Sequence, residues 1–219
     1  MATSRIVFFG VALLLVASVS AQLNENFYAK TCPGGVQAVA KVVTAAIGGP
    51  KWKVPLGRRD GSVSLAREAL SNLPGDTFTF QQLVSNFAKK GLNEADMVVL
   101  SGAHTIGLTH CFKVTSSPPL PESCAPTPEV PQTTSFISIT PTVAKRFDVN
   151  YFKNILNHQA VFKSDSALIS TSSGRSKVVT LANSQSIFFS AFGAAMEKMG
   201  RVGVLTGRQG KIRTQCSRR

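Results

Sequence analysis

The sequence predicts a mainly α-helical protein with long loops. Three observations predict it: apolar residues recur at i, i+3 and i+4 in several separate segments, alternating strand patterns are scarce, and proline and glycine clusters punctuate the chain. A length of 219 residues fits one large domain or two small ones. Hydrophobic residues at 43% against charged residues at 16% allow a sizeable core and exclude a disordered polar chain, a coiled coil or a collagen-like repeat.

Taken in order, residues 1–21 read as a signal peptide. Arg5 supplies the positive flank, Ile6 to Ala17 is an uncharged apolar run, and Val19-Ser20-Ala21 offers small residues for cleavage before Gln22. The run is too short for the ~20 apolar residues that a membrane span needs, and no later segment resembles it, so a secreted, extracellular chain without membrane attachment after cleavage is expected. Residues 22–47 form an N-terminal helical segment, with Val36, Val39, Ala40, Val43, Ala46 and Ile47 at near-helical spacing. The remainder, 48–219, opens with the breaker Gly48-Gly49-Pro50 and the charged turn Gly57-Arg58-Arg59-Asp60-Gly61.

Phe80, Leu83, Val84, Phe87 and Ala88 give an amphipathic helix that stops at Gly91. Asn93 caps the next helix, whose Glu94 and Asp96 suit the positive end of the dipole and whose apolar residues run to Ser101-Gly102. Seven prolines between Ser116 and Thr142 mark a long irregular connection and the best internal boundary. Helical spacing returns at Tyr151, Phe152, Ile155 and Leu156, with Asp148 as the cap, and again from Ile187 to Met199, ending at Gly200.

Twenty-four Lys plus Arg against 11 Asp plus Glu give a formal charge of +13, which selects an anionic partner: polysaccharide, nucleic acid or membrane. Secretion and the lack of an aromatic–basic module argue against nucleic acid, and the charge itself fixes only the sign of the partner, an anionic extracellular polysaccharide being one candidate. Residues 201–219 add weight with Arg201, Arg208, Lys211, Arg213, Arg218 and Arg219 and no acid. Cys32, Cys111, Cys124 and Cys216 can form disulfides in an oxidising compartment, in three possible pairings, and their spacing does not suit zinc.

Of the three histidines, His104 lies where an apolar helix runs out into small residues, Ser101-Gly102-Ala103-His104-Thr105-Ile106-Gly107. Small neighbours let a flat, bulky group approach the imidazole, as a haem iron ligand requires. His110 and His158 read as surface residues.

The segment from Val99 to Gly107 resembles the proximal haem-ligand segment of the secretory plant haem peroxidases, class III. Other blocks resemble the same family in the same order: Asn26 to Pro33, Trp52 to Gly61, Leu73-Pro74-Gly75, Phe147 to Asn154, Ser164-Asp165, Met199-Gly200, Leu205-Thr206-Gly207 and Gln215-Cys216. The resemblance implies a haem-peroxidase-like helical fold, haem b as cofactor, and oxidation of phenolic small molecules by H₂O₂ in a secreted monomer. It assigns His104 as axial ligand of the haem iron and Asp165 as the carboxylate that orients it. It also gives Pro74 at the phenol site, Thr105, Thr140 and Asp148 as oxygen donors to a proximal calcium, and Cys111–Cys124 as a disulfide.

The family's pattern carries, between its first helix and the Gly-Gly-Pro-x-Trp turn, a distal block with an Arg-Leu-His-Phe-His-Asp-Cys type motif, a second calcium site and further cysteines. Here Val43-Thr44-Ala45-Ala46-Ile47 runs straight into Gly48-Gly49-Pro50, so the distal helices, their calcium and the distal acid/base residues are absent. The fold is accordingly expected to be incomplete, with 48–219 its proximal part. Cys32 and Cys216 lose their usual partners and are left as free thiols or pair with each other, and Arg58 loses its acid and is expected to be exposed or unpaired. The calcium set is short of one carboxylate, because no acid lies between Glu129 and Asp148. Two other functions follow from these features: a non-catalytic truncated peroxidase, and a basic extracellular polysaccharide-binding protein.

Overall fold

A computed structural model describes residues 23–24, 46–115, 124, 136–140 and 146–212. The signal segment, the helix expected before residue 46, Cys32, Cys216, Arg213, Arg218, Arg219 and most of the proline-rich connection lie outside the described residues.

Seven α-helices stand among the described residues: α1 (Ala66–Asn72), α2 (Phe80–Ala88), α3 (Glu94–Ser101), α4 (Asn150–Leu156), α5 (Lys163–Ser166), α6 (Ser172–Asn183) and α7 (Gln185–Met199). None is long and apolar enough to cross a membrane by itself. The one sheet described pairs β1 (Leu108–His110) with β2 (Phe136–Ser138), antiparallel.

Local chemistry fixes the helix ends. Thr79 opens α2 with a reciprocal capping box to Gln82, and Asn93 opens α3 with the same device to Asp96. Gly91, at φ +72°, makes the left-handed turn between them that a side chain would strain. The formal cap of α4 is Val149, one residue later than expected. Asp148 still does the capping work, since its Oδ1 accepts the Asn150 N–H at 2.8 Å.

The core gathers on α3, whose Met97, Val98, Val99 and Leu100 are all buried against α2, α6 and α7. Phe152 of α4 and Phe188 of α7 are fully buried and meet edge to face at 5.0 Å, while Phe147 stacks on Phe188 at 5.3 Å. Each such side chain contributes roughly 1.5–3 kcal/mol of burial. Gly102 follows directly after α3 because a Cβ there would lie 2.6 Å from Phe188 and 2.8 Å from Phe152. The aromatic core thus sets how closely the His104 turn approaches.

One expectation needs correction. The proline-rich connection does not separate two units: β2 lies within it and pairs back to β1, and Cys124 closes on Cys111. Arg58 is exposed, one of the two outcomes expected for it, and donates to the carbonyls of Gly200 at 2.8 Å and Pro55 at 2.6 Å. Backbone bridges Arg59–Leu205 and Asp60–Lys211 run alongside, so the charged turn is fastened to the C-terminal segment.

Candidate functional site

His104 sits in the 3₁₀ turn Gly102–Thr105, which continues α3 past its last residue and aims the imidazole toward α4 and α5. Its Nδ1 lies 3.0 Å from Oδ1 of Asp165, a buried residue of α5. The same oxygen accepts the phenol O–H of buried Tyr151 from α4 at 2.7 Å. The ring edges of Tyr151 and Phe162 close on the imidazole at 6.0 and 5.5 Å. These contacts fix the ring plane while leaving 40% of the His104 side chain exposed against 4% of Asp165. Burial lowers the His104 pKa, but the hydrogen bond and charge of Asp165 outweigh it and hold the imidazole above its ordinary 6.5.

Asp165 is buried, inside α5, and its Oδ1 faces both an imidazole and a phenol. His104 fits an axial ligand by its donor chemistry: Nδ1 is spent on a buried carboxylate, and the side chain as a whole is partly exposed.

Thr105, Thr140 and Asp148 are brought together and buried. Thr105 Oγ1 donates to Asp148 Oδ1 at 3.2 Å, and Thr140 Oγ1 donates to the carbonyl of His104 at 2.9 Å. Their oxygens suit a hard cation in type, with one carboxylate among them. Asp148 already accepts from Asn150 on both oxygens, through the backbone N–H and through Nδ2.

Pro74 is exposed and lies at the C-terminal side of α1. Two residues on, the Asp76 carbonyl accepts the Ser164 N–H at 2.9 Å and the Thr115 hydroxyl at 3.3 Å. Thr115 also accepts the Lys163 N–H at 2.8 Å. These bonds tie the Pro74 loop to the segment that presents Asp165. The Cys111–Cys124 disulfide is formed, four residues before Thr115. His158 is exposed as expected, whereas His110 is half-buried and tilts its ring against Phe112 at 5.2 Å.

Tyr151, Thr115 and Asp76 were not singled out from sequence. Tyr151 carried the one available signal: a phenol on an otherwise apolar helix face requires a hydrogen-bond partner when that face is buried.

Comparison with known proteins bears on the same residues. A family model described as Peroxidase matches residues 15–184. Peroxidase 56 and Peroxidase 27 of Arabidopsis thaliana are each 39% identical over 213 residues, covering 85% of this chain and 64% of their own length. A basic peroxidase of Zinnia elegans is 35% identical over 206 residues, covering 85% of this chain and 63% of its own. The chain therefore spans a little under two thirds of the length of these relatives.

Proposed function

The chain belongs to the peroxidase family, and from that premise we propose that it is a secreted haem-binding protein with His104 as the axial ligand and Asp165 as its orienting carboxylate. One observation carries the reading: an imidazole with one nitrogen bonded to a buried carboxylate and the ring partly open to solvent. Haem bound there would supply the redox chemistry by which H₂O₂ oxidises phenolic compounds. Asp165 then holds the imidazole tautomer, Phe162 and Tyr151 hold its plane, and the Pro74 loop borders the site for a phenol. Thr105, Thr140 and Asp148 are the proposed oxygen donors to calcium.

The proposal includes depressed turnover. A positioned distal acid–base residue is worth ~10²–10⁴-fold in rate and preorganised charge stabilisation a further ~10²–10³-fold, and the block that carries both in the family is missing between Ile47 and Gly48. The test is to load the chain with haem, record the Soret spectrum and assay H₂O₂-dependent phenol oxidation beside His104→Ala. A Soret band lost in His104→Ala, with turnover at least ~10⁴-fold below a full-length family member, is expected. Absence of His104-dependent haem binding would overturn the ligand assignment, and turnover matching the full-length protein would overturn the loss of distal chemistry.

A second reading, binding to an anionic wall polysaccharide, is supported by the bridges at Leu205 and Lys211. They lay the basic C-terminal segment beside the Arg58-Arg59 turn. Retention on pectin that falls steeply with salt is its expected mark.

A further inference from the structure

Asp165 is bonded asymmetrically. Its Oδ1 accepts from His104 Nδ1 at 3.0 Å and from Tyr151 at 2.7 Å, while Oδ2 is buried with no hydrogen-bond partner among the described residues. Oδ1 has a lone pair for each donor, so both bonds form at once, but the two donors draw on the charge of one oxygen. Tyr151 is itself fastened, buried edge to face on Phe152 at 5.0 Å, so its hydroxyl has little freedom to turn away.

We propose that Tyr151 is a positioning residue for the His104 site: by donating to the same Asp165 oxygen that accepts from His104, it anchors that carboxylate and limits how strongly it draws on the imidazole. An acceptor oxygen shared between two donors offers each less charge than it would offer one alone. Removing the phenol O–H leaves the whole of that charge to His104 Nδ1–H, so the imidazole bond tightens and the ring becomes a more electron-donating ligand. The importance of this for iron rests on the haem reading above. The sharing itself is a property of the haem-free chain.

The experiment reads both states. In the haem-free full chain at one fixed pH, the His104 Nδ1–H proton resonance is recorded for the unsubstituted protein, Tyr151→Phe and Asp165→Asn. Tyr151→Phe keeps the ring and its packing, and the expected result is a downfield shift of the Nδ1–H signal; Asp165→Asn, a weaker acceptor, shifts it upfield. If Tyr151→Phe does not fold, fluorotyrosine at position 151 supplies a stronger donor in the same place, and the signal moves upfield instead. A signal unmoved in Tyr151→Phe, or moved upfield, overturns the proposal, as does an unmoved signal in the fluorotyrosine chain. In haem-loaded protein the iron–histidine stretching frequency rises in Tyr151→Phe. A chain that takes no haem refutes the ligand assignment and still leaves the haem-free spectra to decide the role of Tyr151.

Discussion

His158 occupies the position after the C-cap of α4 with φ +58°, the one non-glycine residue with positive φ among those described. The hydrogen bonds explain why. Gln159 N–H reaches back to the Asn154 carbonyl and His158 N–H to that of Ile155, the paired pattern of a Schellman turn. A side chain in that left-handed position costs roughly 1–2 kcal/mol, partly offset by the ~0.5–1 kcal/mol of extra chain entropy that glycine loses on folding. Because His158 is exposed, His158→Gly is expected to stabilise the protein by about 0.5–1 kcal/mol and raise Tm by roughly 1–4 °C. Thermal unfolding checks this, and an unchanged or lower Tm refutes it. At this scale sequence reading succeeds where a residue lies in a dense local pattern, as His104 does between Ser101 and Gly107. It fails where the partner is remote: nothing near Tyr151 in the chain announces Asp165, fourteen positions away and across two helices.

The same distinction governs the helices. The spacing in α2, α3 and α7 was legible because their apolar faces meet the core. In α6 the buried face is Gly174, Val178, Leu181 and Ala182, and it begins with a glycine because a Cβ there would lie 2.3 Å from the Leu168 carbonyl, so the stripe is hard to see among polar residues. In α1 the obstacle is the opposite: apolar side chains recur at helical spacing, yet no residue of the helix is buried and Leu70 is 86% exposed. What fastens α6 to α3 at the surface is polar. Glu94 accepts from Ser173 at 2.6 Å and from Lys177 at 2.9 Å, and these two hydrogen bonds hold its carboxyl below the ordinary 4.5. A carboxyl whose folded pKa is depressed stabilises fully above its unfolded value and loses that contribution as pH falls through the folded one. Glu94→Gln is therefore expected to cost about 0.5–1 kcal/mol at pH 7. The difference from the unsubstituted chain should close as the solution is acidified below 4.5. Urea denaturation across that range measures it, and a pH-independent difference would assign the effect to packing.

For the whole molecule, the question is what holds the His104 turn against the β1–β2 connection. The Thr105–Asp148 and Thr140–His104 hydrogen bonds join three distant parts of the chain within a buried region. Calcium affinity follows the number of charged ligands, and the segment before Asp148 adds no acid back to Glu129. A cation entering this cluster also has to replace the Thr105 bond to Asp148 and compete with Asn150 for the same carboxylate. A site with one carboxylate falls at or beyond the weak end of natural oxygen sites, with Kd of ~10⁻³ M. At that affinity 1 mM Ca²⁺ adds about 0.4 kcal/mol, whereas a micromolar site would add about 4 kcal/mol. These correspond to Tm shifts of roughly 1–2 °C and 8–16 °C. The expected outcome is the smaller shift, with EDTA leaving Tm where it was. A rise of 8 °C or more in 1 mM Ca²⁺, reversed by EDTA, would mean that oxygens beyond Thr105, Thr140 and Asp148 complete the site, and that calcium rather than hydrogen bonding closes this part of the fold.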